Sequence, residues 1–398
     1  MTRIWDRLIG QRNVVEELSH AVADAGRIVM GEHGPAMMHA WLVTGPPGSG
    51  RSTAATSFAA ALVCPEDGCG VCEACRTAPI GGHPDVAVVS TDTLSYSTEK
   101  ARDLVLQSEM SPIKSHWHVI VMEDADRLTD QAVNVLLKSL EEPPPHTVWV
   151  LCAPSSQDVL PTIQSRTRHV PLRTPSTADV AQLLMDNYGV DAAMASFAAR
   201  ASQGHIGRAR ALARDEHARL RRQEVMRIPF HLYDVPACFT SAASLLGAAE
   251  DDAKAITDPL DDAENLNLMA QFGDGAEGAT RGKIKRLADS AGKDLAKKQR
   301  LRRTRTVRDQ VDRALVDLMG LYRDVLAIQF DSEVELINDE MRPQLAQLAA
   351  RSTTNDTGRR LRALTYTRQQ IGANVAPQLA LESLMVELKD PWIRTAVV

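Results

Sequence analysis

Gly45-Pro46-Pro47-Gly48-Ser49-Gly50-Arg51-Ser52 reads as a phosphate-binding loop with one departure from the pattern G-x-x-x-x-G-K-[ST]: Arg51 stands where Lys is required. The glycines let backbone N–H groups point inward as an anion cradle, and the helix that follows adds its positive N-terminal end. Lys reaches the β- and γ-phosphates as a slim point charge, and the Ser/Thr position holds Mg²⁺. Arg keeps the charge but is planar, forked and bulkier, so the exchange is not conservative. The flanks suit the motif, with the apolar run Trp41-Leu42-Val43 before it and a helical run from Ala54 to Leu62 after it. The expected nucleotide site is therefore Gly45, Pro46, Pro47, Gly48, Ser49, Gly50, Arg51, Ser52 and Thr53, a place for ATP or ADP with Mg²⁺ whose own hydrolysis is in question.

A second motif lies downstream. Val119-Ile120-Val121-Met122-Glu123-Asp124 is an apolar strand ending in carboxylates. In phosphate-loop NTPases a carboxylate here holds Mg²⁺, and the next acid can activate water. The usual order is Asp then Glu; here it is Glu123 then Asp124. The longer side chain crowds the metal and the shorter one falls short of the water, and a misplacement of ~1 Å can cost ~100-fold in rate. On its own the pair would be read as solvated acids at a strand end.

Further apolar, β-branched runs occur at Trp41–Thr44, Val86–Ser90, Val148–Cys152 and His169–Leu172, with helical patterns such as Glu99–Glu109 and Asp130–Glu141 between them. Alternating strands and helices predict a parallel sheet covered on both faces over residues 1–173. Residues 174–225 read as all-helical, with a start near Thr177-Ala178-Asp179, and 226–398 as a further helical region. There Val307, Val311, Leu315, Leu318, Tyr322 and Val325 form one apolar stripe at three- and four-residue steps. Glycines at 273, 275, 278 and 282 are expected to form a mobile loop within a charged insert at about 250–300. Residues 250–277 are acid-rich and 281–308 base-rich, an interaction segment or a solvated helix face.

Cys64, Cys69, Cys72 and Cys75 give C-x4-C-x2-C-x2-C, a loop at 64–75 able to wrap four thiolates around Zn²⁺. An iron–sulfur cluster and free thiols are the alternatives, and four protein ligands would make a zinc site structural. His83 reads as a loop residue nearby, while Cys152 and Cys238 read as core or incidental residues. The 398 residues suffice for two or three domains. No run approaches a membrane span, and Met1-Thr2-Arg3-Ile4-Trp5 lacks a signal-peptide core, so a cytoplasmic protein without membrane partners is expected. A net charge of −6 argues against whole-surface nucleic-acid binding.

Several longer matches point to one family. They are Trp5-Asp6-Arg7-Leu8-Ile9-Gly10-Gln11, His39 to Pro46, the four-cysteine module, Asn134-Val135-Leu136-Leu137-Lys138-Ser139-Leu140-Glu141-Glu142-Pro143-Pro144, and Leu160-Pro161-Thr162-Ile163-Gln164-Ser165-Arg166. In their order these resemble the AAA+ clamp-loader family of bacterial DNA polymerase III, and within it the delta-prime subunits; the specific matches cover about the first 210 residues. The resemblance implies an AAA+ module at 1–173, a helical lid at 174–225, and an all-helical collar at 226–398 that joins a five-subunit ring. The implied partners are gamma/tau-like and delta-like subunits, the sliding clamp, and primer–template DNA through the complex. In this family the delta-prime type is degenerate for ATP hydrolysis and offers the Arg of a Ser-Arg-Cys motif to a neighbour's ATP. By position these are Ser165 and Arg166, with Thr167 in place of Cys. Gly207 sits where active relatives carry the lid Arg, with Arg208 one step on, and the sensor position falls at Pro154 or Ser155. The expected function is a clamp-loader subunit of the DNA-directed DNA polymerase III holoenzyme, without independent ATPase activity. The alternatives are an active ATPase in which Arg51 replaces Lys, and a zinc-bearing DNA-binding module that grips phosphates with residues 281–308.

Overall fold

The computed structural model describes residues 3–91, 95–271, 279–373 and 375–389, and of 3, 271 and 279–287 the backbone only. Gly273, Gly275 and Gly278, and the side chains of the basic residues at 281, 283, 285 and 286, lie outside the described residues. The chain divides into two compact units, Met1–Arg214 and Asp215–Val398.

Among the described residues the first unit holds five parallel strands, β1 (Ala40–Thr44), β2 (Val86–Val89), β3 (His118–Met122), β4 (Thr147–Ala153) and β5 (Arg168–Pro171), in the order β2-β3-β4-β1-β5. The inner strands are buried along their whole length, which their unbroken apolar sequences dictate. Side chains alternate between two cores. Trp41, Val43, Val119, Val121, Val148 and Val150 face helices α1 (Arg12–Val29) and α2 (Arg51–Leu62). Leu42, Ile120, Met122, Trp149 and Leu151 face the other way, among residues of α4 (Thr98–Ser108) and α5 (Asp130–Glu141). Short helices α3 (Glu73–Thr77) and α6 (Pro161–Gln164) lie in the connections. The chain leaves β1 for the far edge at β2, and leaves β4 across β1 for β5. Adjacent strands whose connections depart in opposite directions leave a crevice at their C-terminal ends, where ligands bind in such sheets.

Three helices complete this unit: α7 (Thr177–Tyr188), α8 (Ala192–Ser202) and α9 (Ile206–Arg214). Ser176 caps α7, its hydroxyl accepting from the Asp179 N–H at 3.1 Å. The Gln11 side chain donates to the Arg173 carbonyl at 2.6 Å and accepts from its N–H at 3.2 Å, tying the N-terminal segment to the start of the three-helix group.

The second unit is helical: α10 (Glu216–Arg227), α11 (Val235–Gln271), α12 (Ala279–Gln329), α13 (Arg342–Arg351), α14 (Thr354–Gly372) and α15 (Pro377–Leu388). The stripe Val311, Leu315, Leu318, Tyr322 and Val325 is buried at its centre. The division at Arg214 places α10 here, whereas the sequence-based boundary stood at 225; α10 packs on α12 through Arg222, which donates to Asp317 at 3.3 Å and to Glu340 at 3.1 Å. The acid-rich and base-rich segments answer each other. Within their described parts, α11 and α12 run antiparallel, with Arg302 on Asp261 and on Glu264 (2.6 Å), Arg303 on Asp258, and Lys298 on Glu264 (3.5 Å). Gly282 falls within α12. Among the described residues no helix is long and apolar enough to cross a membrane.

Candidate nucleotide cleft and exposed arginine

The phosphate loop leaves β1 at the crevice. The Gly45 N–H donates to the carbonyls of Ala153 and Pro154 at 3.3 and 3.2 Å, fixing the loop to the end of β4. Gly48 and Gly50 have φ of +84° and +92°, which favours glycine at both. At Gly48 the space is also taken: a Cβ there would lie 2.3 Å from Cγ of His205, so the residue just before α9 sits directly on the loop. Gly50 begins α2, and Ser49 is buried behind it with a hydroxyl that has no hydrogen-bond partner.

A cleft of about 610 Å³ opens over this loop. It brings together Gly48, Gly50, Arg51, Ser52, Thr53 and Glu123 of the expected site with Gly207. Arg7, Tyr188, His205 and Arg210 also line it, and sequence reading gave none of them a role at the nucleotide. Arg210 lies three residues beyond Gly207, on the same face of α9. Arg208, the residue read as next to the lid position, does not line the cleft, nor do Gly45, Pro46, Pro47, Ser49, Asp124, Pro154 or Ser155. Pro154 holds the loop through its carbonyl, and the Ser155 hydroxyl accepts from the Gln157 N–H at 3.2 Å.

The electrostatics favour an anion. Nη1 of Arg51 is buried without a hydrogen-bond partner. Three guanidinium groups line the cleft against one carboxylate, that of Glu123. Asp124 takes a left-handed backbone, φ +54°, at the head of a short turn. Asp126, two residues on, has its carboxyl pushed up by burial and by the charge of Asp124, and the Arg51 charge pulls it back only in part. The set fits a polyphosphate. For a hydrated Mg²⁺ ion the lining offers only the Glu123 carboxylate and the hydroxyls of Ser52 and its neighbours, beside three cations.

Arg166 lies elsewhere, just after α6. It pairs with Glu141 at the end of α5 and donates to the Thr162 carbonyl at 2.8 Å and the Ser165 hydroxyl at 3.1 Å. The side chain remains 32% exposed. It borders an open basin with Met38, His39, Leu140, Glu141, Ser165, Thr167 and Arg168, none of which lines the nucleotide cleft.

The four cysteines form a third constellation. The sulfurs of Cys64, Cys69, Cys72 and Cys75 lie within 4.8 Å of one another, a group able to hold a metal ion. Gly68 turns the loop at φ +94°, where a Cβ would strike Ile4. Backbone N–H groups of Val71 and Cys72 lower the Cys69 thiol to about 7, whereas burial raises Cys72 and Cys75. Four gathered thiols resist joint ionisation unless a cation joins them. His83 stands apart from the group and accepts from the Asp85 N–H at 3.2 Å through Nδ1. Burial pushes the Cys152 thiol up to about 12 and also raises Cys238, as suits core residues.

The family model described as "DNA polymerase III, delta subunit" matches residues 32–176. The DNA polymerase III subunit delta' of Bacillus subtilis is 27% identical over 359 residues, 89% of this chain and 92% of that protein. Over most of its length the chain is similar to DNA polymerase III clamp-loader subunits. A Pseudomonas aeruginosa delta' is 36% identical over 134 residues, 32% of this chain and 41% of that protein. A Mycobacterium tuberculosis gamma/tau subunit is 34% identical over 171 residues, 42% of this chain; the chain spans only 28% of that relative's length. A solved gamma subunit-related protein of Thermotoga maritima aligns over 93% of this chain and 98% of that one at 14% identity, with a TM-score of 0.40. The five-stranded parallel sheet carries the phosphate loop after its β1 strand and is followed by helices, as the alternating pattern predicts.

Proposed function

We propose that this chain is a delta-prime-type subunit of a DNA polymerase III clamp loader, a component of the replicative DNA-directed DNA polymerase holoenzyme in the cytoplasm. It occupies a hetero-pentameric ring with gamma/tau-like ATPase subunits and a delta-like subunit, which together place the sliding clamp on primer–template DNA. Its own cleft receives ATP or ADP without cutting it, and Arg166 reaches a neighbouring subunit's triphosphate. The observation that carries the reading is the separation of parts: Arg166 and Ser165 border an open basin that shares no lining residue with the chain's own cleft. A guanidinium so placed cannot serve its own nucleotide but is available to another chain's, where positive charge is most valuable in phosphoryl transfer.

Three departures support a silent cleft: Arg51 for Lys, Glu123 as the only lining carboxylate, and Gly207 at the lid position. Cys64, Cys69, Cys72 and Cys75 would hold one structural Zn²⁺, whose part is to fix the loop after α2. The helices of the second unit supply the collar by which the ring assembles.

Phosphate release by the purified chain, with and without Mg²⁺, tests the reading of the cleft. No turnover above background is expected. Turnover at about 1 s⁻¹ or faster, the ordinary range for enzymes, would instead make the chain an active ATPase with Arg51 acting for Lys. Co-purification tests the assembly: gamma/tau-like and delta-like subunits should accompany the chain, and a chain recovered alone would contradict the reading.

A further inference from the structure

We propose that the cleft over the phosphate loop binds a di- or triphosphate without any divalent cation, the guanidinium groups of Arg51, Arg210 and Arg7 taking over the neutralising part of Mg²⁺. The inference deepens the reading of the cleft given above and rests on it. A polyphosphate brings several negative charges together, and in hydrolysing sites the metal offsets them while orienting the terminal phosphate. Here the offset is built into the chain. Three arginines line the cleft against the single carboxylate of Glu123. Each guanidinium is charged at every pH the protein meets and offers up to five donors in a plane that suits phosphate oxygens.

One buried donor of the loop awaits an acceptor: Nη1 of Arg51, a residue that lines the cleft, has no hydrogen-bond partner. A buried donor left unsatisfied is costly, and an anion seated in the cradle is a group that would satisfy it. The lid side is set in place as well. His205 rests on Gly48, Gly207 adds no side chain, and Arg210 lies one turn on, lining the same cleft. Of the two acids at the end of β3 only Glu123 lines the cleft; Asp124, at the position of the acid that activates water, does not. The water-activating acid is therefore absent while the metal's charge is replaced, which yields binding without cleavage.

The full-length chain would be titrated calorimetrically with ADP, ATP and inorganic pyrophosphate, each in Mg²⁺ and again in excess EDTA. Affinities in the two conditions should agree within about twofold, and Arg210→Gln should weaken binding about tenfold or more in both. Arg210 is exposed, so its thermal unfolding should be unchanged. Arg51→Lys should weaken binding in EDTA more than in Mg²⁺, because a point charge leaves more of the polyphosphate for the metal. Tighter binding of the nucleotides than of pyrophosphate would assign the ligand as a nucleoside polyphosphate with its base toward Leu183, Tyr188 and Ile206; equal binding would assign the bare polyphosphate. Loss of affinity of tenfold or more on removing Mg²⁺ would overturn the proposal, as would no binding of any probe. Either failure leaves the trans role of Arg166 standing, since that is read from the ATPase of the assembled complex.

Discussion

Arg166 is occupied before any partner arrives. Its guanidinium rests on Glu141, which belongs to the Leu-Leu-Lys-Ser-Leu-Glu-Glu run, and on the Thr162 carbonyl. Both side chains are about a third exposed or more, so the pair contributes no more than about 1 kcal/mol to stability. Glu141→Ala should therefore change the unfolding free energy by less than about 1 kcal/mol in urea titration; a larger loss would mean the pair is a structural tie. The loop glycines make a sharper pair of variants. At Gly50 a Cβ would meet nothing within 4 Å, so Gly50→Ala pays only for its left-handed backbone, about 1–2 kcal/mol. At Gly48 the same strain is joined by a clash with His205, so Gly48→Ala should cost clearly more and loosen α9. Equal losses in the two variants would show that His205 does not rest on the loop. Arg7, Arg210 and His205 could not be found from sequence as cleft residues. Each is a single side chain far from the loop in the chain, and no spacing rule links it to the phosphates.

At the scale of elements, much was legible. The inner strands are buried on both faces and so carry unbroken β-branched runs, and α5 has the predicted bounds Asp130–Glu141. The stripe from Val307 to Val325 lies on α12 because its helical period survives within a very charged segment. What sequence left open was the partner of that charge. Acid-rich and base-rich stretches look alike whether they meet solvent, DNA or each other, and among the described residues the antiparallel pairing of α11 with α12 gives Lys298, Arg302 and Arg303 acidic partners. The pairing has a pH signature. The Arg302 guanidinium beside Glu264 holds its carboxyl at about 2, against an ordinary 4.5. A carboxyl lowered by folding lends stability that is complete above its unfolded value and lost as pH falls through the folded one. The α11–α12 pair should thus weaken between pH 4.5 and about 2, and Glu264→Gln should flatten helical circular dichroism across that window. An unchanged acid transition would contradict the zipper. The cysteine loop gives a second prediction at this scale. The chain should carry one zinc by elemental analysis, and chelation should lower its melting temperature, because structural zinc contributes directly to folding. Metal-free protein of unchanged stability would refute a zinc site, and a coloured cluster would favour iron and sulfur.

For the whole molecule, the proposed function joins the cleft over the phosphate loop and the separate arginine into one design. On that proposal a subunit that holds nucleotide without cutting it would keep a fixed shape while its neighbours cycle, and would contribute charge to the cycle through Arg166. The most direct measurement is the steady-state ATPase of a complex reconstituted from this chain and its gamma/tau-like and delta-like partners, with Arg166 intact or as Arg166→Ala. An arginine finger is worth roughly 10³–10⁵ in rate at the site it serves. We expect complex formation by gel filtration to be unchanged and the neighbouring site to lose on the order of 10³ in turnover, so that total ATPase falls by that site's share. The same ATPase from both complexes, assembled equally well, would contradict a role for Arg166 at another subunit's nucleotide.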